Sequence, residues 1–380
     1  MDFLTALQGF GVGYIVPFVF VLTIVVFFHE LGHFWVARRC GVSVETFSIG
    51  FGRAILSWKD KHGTDWQVGW IPLGGYVKFE GDENAASAPD AGKLKTMSDD
   101  ARSKSLHYKP LWQRVAVVSA GPVANFILAI IIFSALFMSF GQQIVRPIIA
   151  QVVEDSAASR AGFLAGDRIV AIDGSEVDGF NDVQRIVTIN AEQDLTFTLE
   201  RGAALIDIVA TPDRVLERDR FGNEFKIGRL GVSAATSPDT VEMRKFGPID
   251  AVSRATQETY FIIEQTFIML GRIITGREGV DVLGGPIKIA QISGQTATLG
   301  LIALIHLTAV ISVSIGLINL FPIPMLDGGH LMYYAYEGVV GKPMSPRVQD
   351  IGMRIGLGLV LSLFVFVTWN DLSQLGVFGK

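Results

Sequence analysis

Two histidines and a glutamate interrupt an apolar run near the start of the chain. Residues 10–28 carry no charged side chain, and His29-Glu30-Leu31-Gly32-His33 follows at once. On a helix, residues four apart lie one above the other on the same face, so both imidazoles can bind one metal ion while Glu30 sits beside them to handle a proton. A charged side chain at mid-bilayer costs about 2.5–3.5 kcal/mol or more and usually marks function. The alternative is a pair of structural histidines hydrogen-bonded to neighbouring helices. Membrane segments disfavour His and Glu, so finding three together argues for a metal site.

A catalytic zinc takes three protein ligands and leaves a fourth position for water. The other histidines are His62 and His107, in a polar loop, and His306 and His330, while Cys40 stands near the exit of the first apolar run. Asp327 is the better third ligand. It ends the segment Asn319-Leu320-Phe321-Pro322-Ile323-Pro324-Met325-Leu326-Asp327-Gly328, where two prolines remove backbone donors and break a helix. Broken helices persist at membrane depth only under cover of protein or a water-filled cavity, and a carboxylate aimed into such a cavity is explained most simply by a cation. The other reading of Asp327 is a cap for the helix that follows.

These groups need spans to hold them. Hydrophobic residues make up 49% of the 380 and charged residues 18%, against about 25% charge in a typical soluble domain. With a net charge of −5 and no basic run longer than Arg38-Arg39, there is no electrostatic footprint for nucleic acid. The single cysteine excludes an intrachain disulfide and a CxxC motif. Crossing a bilayer takes about 20 apolar residues, and four stretches qualify: within residues 1–40, 113–145, 299–330 and 351–380. The first has no preceding Lys or Arg and no small-residue cleavage site, so it is expected to stay in the mature protein. The fold class expected is a polytopic α-helical membrane protein of about four transmembrane helices.

Basic residues dot the segment between the first two spans, and Lys342 and Arg347 lie in the connection 331–350. Short cytoplasmic loops are enriched in Lys and Arg, which places these connections in the cytoplasm and both termini outside. The long segment between the second and third spans is then extracytoplasmic. Within 41–112, strand-like runs suggest membrane-associated β-hairpins, followed by a polar stretch, Gly81 to Lys104, that reads as a mobile linker. Residues 237–298 include an amphipathic pattern from Pro248 to Gly276 whose charges (Arg254, Glu258, Glu264, Arg272) argue for a helix at the outer surface or against the bundle; a tilted span is the alternative.

Residues 146–236 alternate short strands with Gly and Asp turns. The run containing Ala161-Gly162-Phe163-Leu164-Ala165-Gly166-Asp167 resembles the signature of PDZ domains, in which converging backbone N–H groups lie beside a strand edge that can accept a peptide. That resemblance assigns Ala161, Gly162, Gly166 and Asp167 to peptide binding or gating, in an inserted α/β domain.

The combination of His29 to His33, the Leu326-Asp327-Gly328 segment and the PDZ-like insert resembles the site-2 protease family of intramembrane zinc metalloproteases, in its bacterial RseP-type branch. Ser48 to Gly52, Pro72 to Val77, Gly121 to Phe126 and Gly284-Gly285-Pro286 are further family-like pieces. The insert has room for one PDZ domain, where the RseP type carries two. The resemblance implies one Zn²⁺ per chain held by His29, His33 and Asp327, with Glu30 as general base, and Asn319 holding the substrate backbone or a developing oxyanion. It further implies an inner-membrane location, single-span membrane proteins such as anti-sigma factors or remnant signal peptides as substrates, and an upstream site-1 protease acting on the same substrate. The oligomeric state is left open.

A transmembrane helix hides its carbonyls in intrahelical bonds, so the substrate must be unwound. An edge strand at Gly74-Gly75-Tyr76-Val77 could pair with it by β-addition; the alternative is a sheet that only packs. Two rival functions are a proteolytically inactive PDZ scaffold with structural zinc, which has no need of Glu30, and a metal or proton transporter, for which paired inverted repeats are missing.

Overall fold

A computed structural model describes residues 11–82, 91–218, 224–234, 240–276 and 278–374. They form two compact units, residues 1–136 with 248–380, and residues 137–247.

The first unit begins with helix α1, Val16–Arg39, entered through a π-helical turn, Gly11–Ile15. Strands β1, Val44–Lys59, and β2, Asp65–Phe79, follow and are long enough to fold back on themselves. Residues 44–49 are flanked on both sides: Phe47 stands opposite both Val77 and Trp66, and Ile49 opposite both Gly75 and Val68. Residues 75–79 therefore form an edge. The turn between the strands is clamped by Asp60, which accepts hydrogen bonds from His62 N–H (2.8 Å), Thr64 N–H (3.1 Å), the Trp66 indole (3.2 Å) and Arg38 of α1. Burial works to raise the Asp60 carboxyl, but these donors together hold it well below the usual carboxylate range. Beneath the sheet, Phe34, Ala37, Phe47, Val77, Phe79 and Val117 make a buried cluster, so the sheet is packed on the C-terminal end of α1.

The stretch read as a mobile linker lies partly outside the described residues, at 83–90. Its second half forms two short helices, α2, Ala91–Thr96, and α3, Asp99–Lys104. Ser98 caps α3 by accepting from Ala101 N–H, and Lys93 pairs with Glu45. Helix α4, Leu111–Ser139, completes this half.

The second unit holds β3, Gln142–Val145; β4, Ile149–Val152; α5, Ala157–Ala161; β5, Arg168–Ile172; β6, Ser175–Glu176; α6, Phe180–Ile189; β7, Leu195–Arg201; β8, Ala204–Ala210; β9, Asp213–Arg218; β10, Glu224–Arg229; β11, Val232–Ala234; and β12, Val241–Arg244. Four strands form a sheet in the order β6-β5-β7-β8, and β3–β12, β4–β11 and β9–β10 pair separately. Alternation along β7 buries Leu195, Phe197 and Leu199, while α6 buries Phe180, Val183 and Val187 at helical spacing. Gly162 ends α5 in the left-handed conformation, φ 88°. Asp167 is buried and accepts from Leu164 N–H (2.8 Å) and from Arg201 Nε and Nη2 (2.8 and 2.7 Å), while Arg201 Nη2 also donates to the Gly162 carbonyl. Two of the residues assigned to peptide binding thus share one arginine as part of the internal scaffold.

The chain returns to the first unit with α7, Pro248–Ile274; α8, Pro286–Ala297; α9, Leu301–Asn319; α10, Asp327–Val340; and α11, Pro346–Gln374. Among the described residues, four helices are long and apolar enough to cross a membrane: α1, α4, α9 and α11. The amphipathic α7 packs against the bundle through Ala251, Ala255 and Thr259, with the Ala251 carbonyl facing Ser134 of α4 and Phe267 6.2 Å from Phe321. Residues 331–350, expected as a plain connection, continue α10 as far as Val340. Helix α8 lies within residues 237–298, the stretch expected to be an amphipathic helical segment leading to the third span.

Candidate metal centre

Helix α1 carries His29 and His33 one turn apart, and both are buried. Their rings meet edge to face, with the Nε2 atoms 3.2 Å from each other. The inner face of α1 reaches this depth because Gly32 has no side chain: a Cβ there would stand 2.3 Å from the Ala120 carbonyl oxygen of α4. Small residues permit such close helix approach in membranes.

Asp327 arrives from the other end of the sequence. Helix α9 stops at Asn319, Pro322 and Pro324 prevent its continuation, and Met325 takes φ 90°, a strained value for a residue with a side chain. Helix α10 then starts at Asp327 itself. Its second residue, Gly328, lies so close to the break that a Cβ would meet the Phe321 carbonyl oxygen at 2.2 Å. The Asp327 Oδ2 atom ends 3.1 Å from His29 Nε2 and 3.4 Å from His33 Nε2.

Three potential ligand atoms from residues 29, 33 and 327 thus face one another, and they are the one such group among the described residues. Ligand atoms about 2.0–2.1 Å from a tetrahedral ion stand about 3.3 Å apart, and the three observed separations, 3.1, 3.2 and 3.4 Å, bracket that value. Asp327 Oδ2 is buried and makes no hydrogen bond of its own. The tautomer of His33 also fits: its Nδ1–H donates to the Val117 carbonyl at 2.9 Å, which leaves the Nε2 lone pair turned into the cluster. The donor set, two imidazoles and a carboxylate, suits zinc.

Glu30 is half-buried beside the cluster, with the backbone of Gly75 and Val77 next to it. The edge segment of β2 therefore lies against the candidate base. A Cβ at Gly75 would come within 3.1 Å of Glu30 Cγ, Gly74 turns the chain at φ 107°, and the Tyr76 ring stacks on Phe51 with centroids 6.1 Å apart. Asn319 is half-buried at the last turn of α9 and is not part of the ligand group.

The competing ligands go elsewhere. His62 contacts Arg38, His107 contacts the buried Asp82 at 2.9 Å, His306 packs 5.2 Å from the Phe133 ring, His330 packs on Tyr333, and Cys40 caps α1. Two contributors have no role assigned from the sequence, although the first lies in the family-like piece Gly121 to Phe126. Asn125 of α4 lies 3.2 Å from His29 Nδ1; a buried amide in mid-span was the available signal. Arg114 of α4 makes a two-pronged ion pair with Glu337 of α10, tying down the helix that begins at Asp327.

The whole chain has relatives of the same description. The family model of peptidase family M50 matches residues 17–363. Metalloprotease MmpA of Caulobacter vibrioides is 40% identical over 386 residues, covering 96% of this chain and 96% of its own. A protein named as a zinc metalloprotease in Agrobacterium fabrum is 47% identical over 375 residues, 99% of this chain and 100% of that one, and another in Rhizobium meliloti is 44% identical over 363 residues, 95% and 97%. With a match across most of its length and four helices able to cross a membrane, the chain belongs to peptidase family M50, the site-2 proteases, and is a membrane metallopeptidase.

Proposed function

We propose that this protein is an intramembrane zinc endopeptidase that cleaves the transmembrane segments of single-span membrane proteins. The observation that carries the reading is the convergence of His29, His33 and Asp327 within 3.4 Å of one another, with Glu30 alongside. One zinc per chain is held by these three side chains. When bound, it supplies a Lewis acid that lowers the pKa of water to about 7 and polarises the scissile carbonyl.

Glu30 takes a proton from the attacking water and returns it to the amide nitrogen as the C–N bond breaks. Glu30 lies on the side of the edge strand, where a Cβ at Gly75 would stand 3.1 Å from its Cγ. Substrate, unwound from its helix, pairs along residues 74–77 of that edge, which brings its main chain to Glu30. Asn319 holds the substrate backbone or the developing oxyanion from the end of α9. The exposed apolar side chains of the β1–β2 sheet, Phe51, Ile55, Leu56, Trp58, Trp70 and Ile71, support its lying in the membrane surface on the cytoplasmic side.

The second unit acts as a single periplasmic PDZ-like domain that excludes substrates whose outer domain is still bulky, with Ala161, Gly162, Gly166 and Asp167 forming its turn. Substrates are of the anti-sigma-factor type, trimmed first by a site-1 protease, or remnant signal peptides. The protein lies in the inner membrane with both termini outside.

The test compares purified wild type with Glu30→Gln on a transmembrane substrate while measuring bound zinc. Zinc retained and cleavage abolished in the variant supports the protease. Zinc retained with no cleavage by either protein points to a scaffold and overturns the reading.

A further inference from the structure

Asn125 on α4 is fully buried, and its amide Nδ2 stands 3.2 Å from His29 Nδ1. With that end turned to the ring, the amide Oδ1 is buried and has no hydrogen-bond partner. The two ends of a carboxamide are alike in size, so the chemistry of the neighbour decides which end faces it. His29 presents its Nε2 to His33 Nε2 and Asp327 Oδ2. A neutral imidazole that binds a metal through Nε2 carries its proton on Nδ1, and that N–H needs an acceptor. Resting on the metal centre of the proposed function, we propose that Asn125 is a positioning residue whose Oδ1 accepts the Nδ1–H of His29, fixing the tautomer that turns the Nε2 lone pair toward the metal.

Helix α4 is arranged for this. Val117, Gly121 and Asn125 are spaced four apart and share one stripe. The Val117 carbonyl accepts the His33 Nδ1–H, Gly121 leaves room for both rings, since a Cβ there would stand 2.2 Å from His33 Nε2 and 2.8 Å from His29 Cε1, and Asn125 faces His29. One helix thereby offers an acceptor to each ligand ring, a main-chain carbonyl to one and a side-chain amide to the other. Asn125 is itself fixed, because its backbone carbonyl accepts the Ser312 hydroxyl at 2.8 Å and its Cβ lies against Gly316 of α9. An acceptor that orients a metal-binding histidine typically accounts for 10–100-fold in metal affinity.

The test measures zinc affinity of the full-length protein by competition with a chelator, without reference to activity. Asn125→Leu keeps the volume and removes the acceptor; Asn125→Asp keeps an acceptor. The expected result is a loss of about 10–100-fold for Asn125→Leu, an affinity within about threefold of wild type or tighter for Asn125→Asp, and no further loss when Asn125→Leu is added to His29→Ala. Equal affinities of Asn125→Leu and wild type overturn the proposal. So does a folded Asn125→Asp that loses more than about tenfold, which decides the matter even where Asn125→Leu does not fold. Wild type that binds no zinc instead defeats the underlying metal-centre reading.

Discussion

His33 Nδ1 lies 2.9 Å from the backbone carbonyl of Val117, so a proposed zinc ligand on α1 is aimed by the main chain of α4. Substituting Val117 cannot remove a main-chain acceptor. The vulnerable position is one turn along, at Gly121, where both ligand rings fill the space a side chain would take.

Gly121→Ala should therefore abolish stoichiometric zinc binding, because its Cβ would stand 2.2 Å from His33 Nε2 and 2.6 Å from Cε1. Gly358→Ala on α11 is the control, since nothing lies within 4 Å of a Cβ there, and exchanging Gly for Ala inside a helix stabilises it by up to about 1 kcal/mol. Metal analysis of the two purified variants checks both expectations; full zinc content in Gly121→Ala would show that the rings can move aside.

The Arg114–Glu337 pair should matter to the site at a distance. Both side chains are mostly buried and meet through two hydrogen bonds, and α10 carries Glu337 at one end and Asp327 at the other. Arg114→Ala strands a buried carboxylate and should cost about 3 kcal/mol, whereas Arg114→Met with Glu337→Leu should recover most of the loss. Denaturant or thermal unfolding of the three proteins reads the difference.

Asp371, near the end of α11, accepts the Gly285 N–H and the Lys288 N–H, both at 2.9 Å. It caps α8 from another helix, a service usually given by the residue just before the helix. Asp371→Ala should destabilise the protein by about 1–2 kcal/mol and raise amide hydrogen exchange in α8, with little effect on zinc content. Unchanged exchange in α8 would show the cap to be dispensable.

What was legible in the sequence was whatever a short local pattern could carry. His29, Glu30 and His33 announce themselves because helical spacing alone puts the imidazoles on one face, and Asp327 because the prolines before it leave a helix broken at membrane depth. Asn125 was passed over because its value depends on which face of α4 meets α1, and no local pattern records that. The cap by Asp371 joins segments more than eighty residues apart and leaves no trace in either. Residues 91–104 looked too polar to fold, yet they form two short helices, with the Ser98 cap and the Lys93–Glu45 pair holding them. In the second unit the Gly162-to-Asp167 turn was found from its glycines, while the arginine that ties it together, Arg201, comes from a strand whose alternation only pointed to burial of its apolar face.

That arginine makes the second unit sensitive to acid. Hydrogen bonds from Arg201 hold the Asp167 carboxyl below the usual carboxylate range, against the cost of burial. Because the folded value is depressed, the stabilisation is fully present above the unfolded value of about 3.9 and is lost as the pH falls below it. Hydrogen-exchange protection factors in β5 and β7 should fall on acidification through about pH 4 in wild type and much less in Asp167→Asn, which should already be less stable by about 1–3 kcal/mol at neutral pH. Identical pH profiles for the two proteins would remove Asp167 as the cause.

The most direct measurement is X-ray absorption at the zinc edge of the purified full-length protein, with metal content determined in parallel for His29→Ala, His33→Ala and Asp327→Ala. The expected result is one zinc per chain in wild type, surrounded by two imidazole nitrogens and carboxylate or water oxygens at about 2.0–2.2 Å, and loss of stoichiometric zinc in each variant. Zinc retained at full occupancy in any of the three, or a sulfur neighbour at about 2.3 Å, would contradict it.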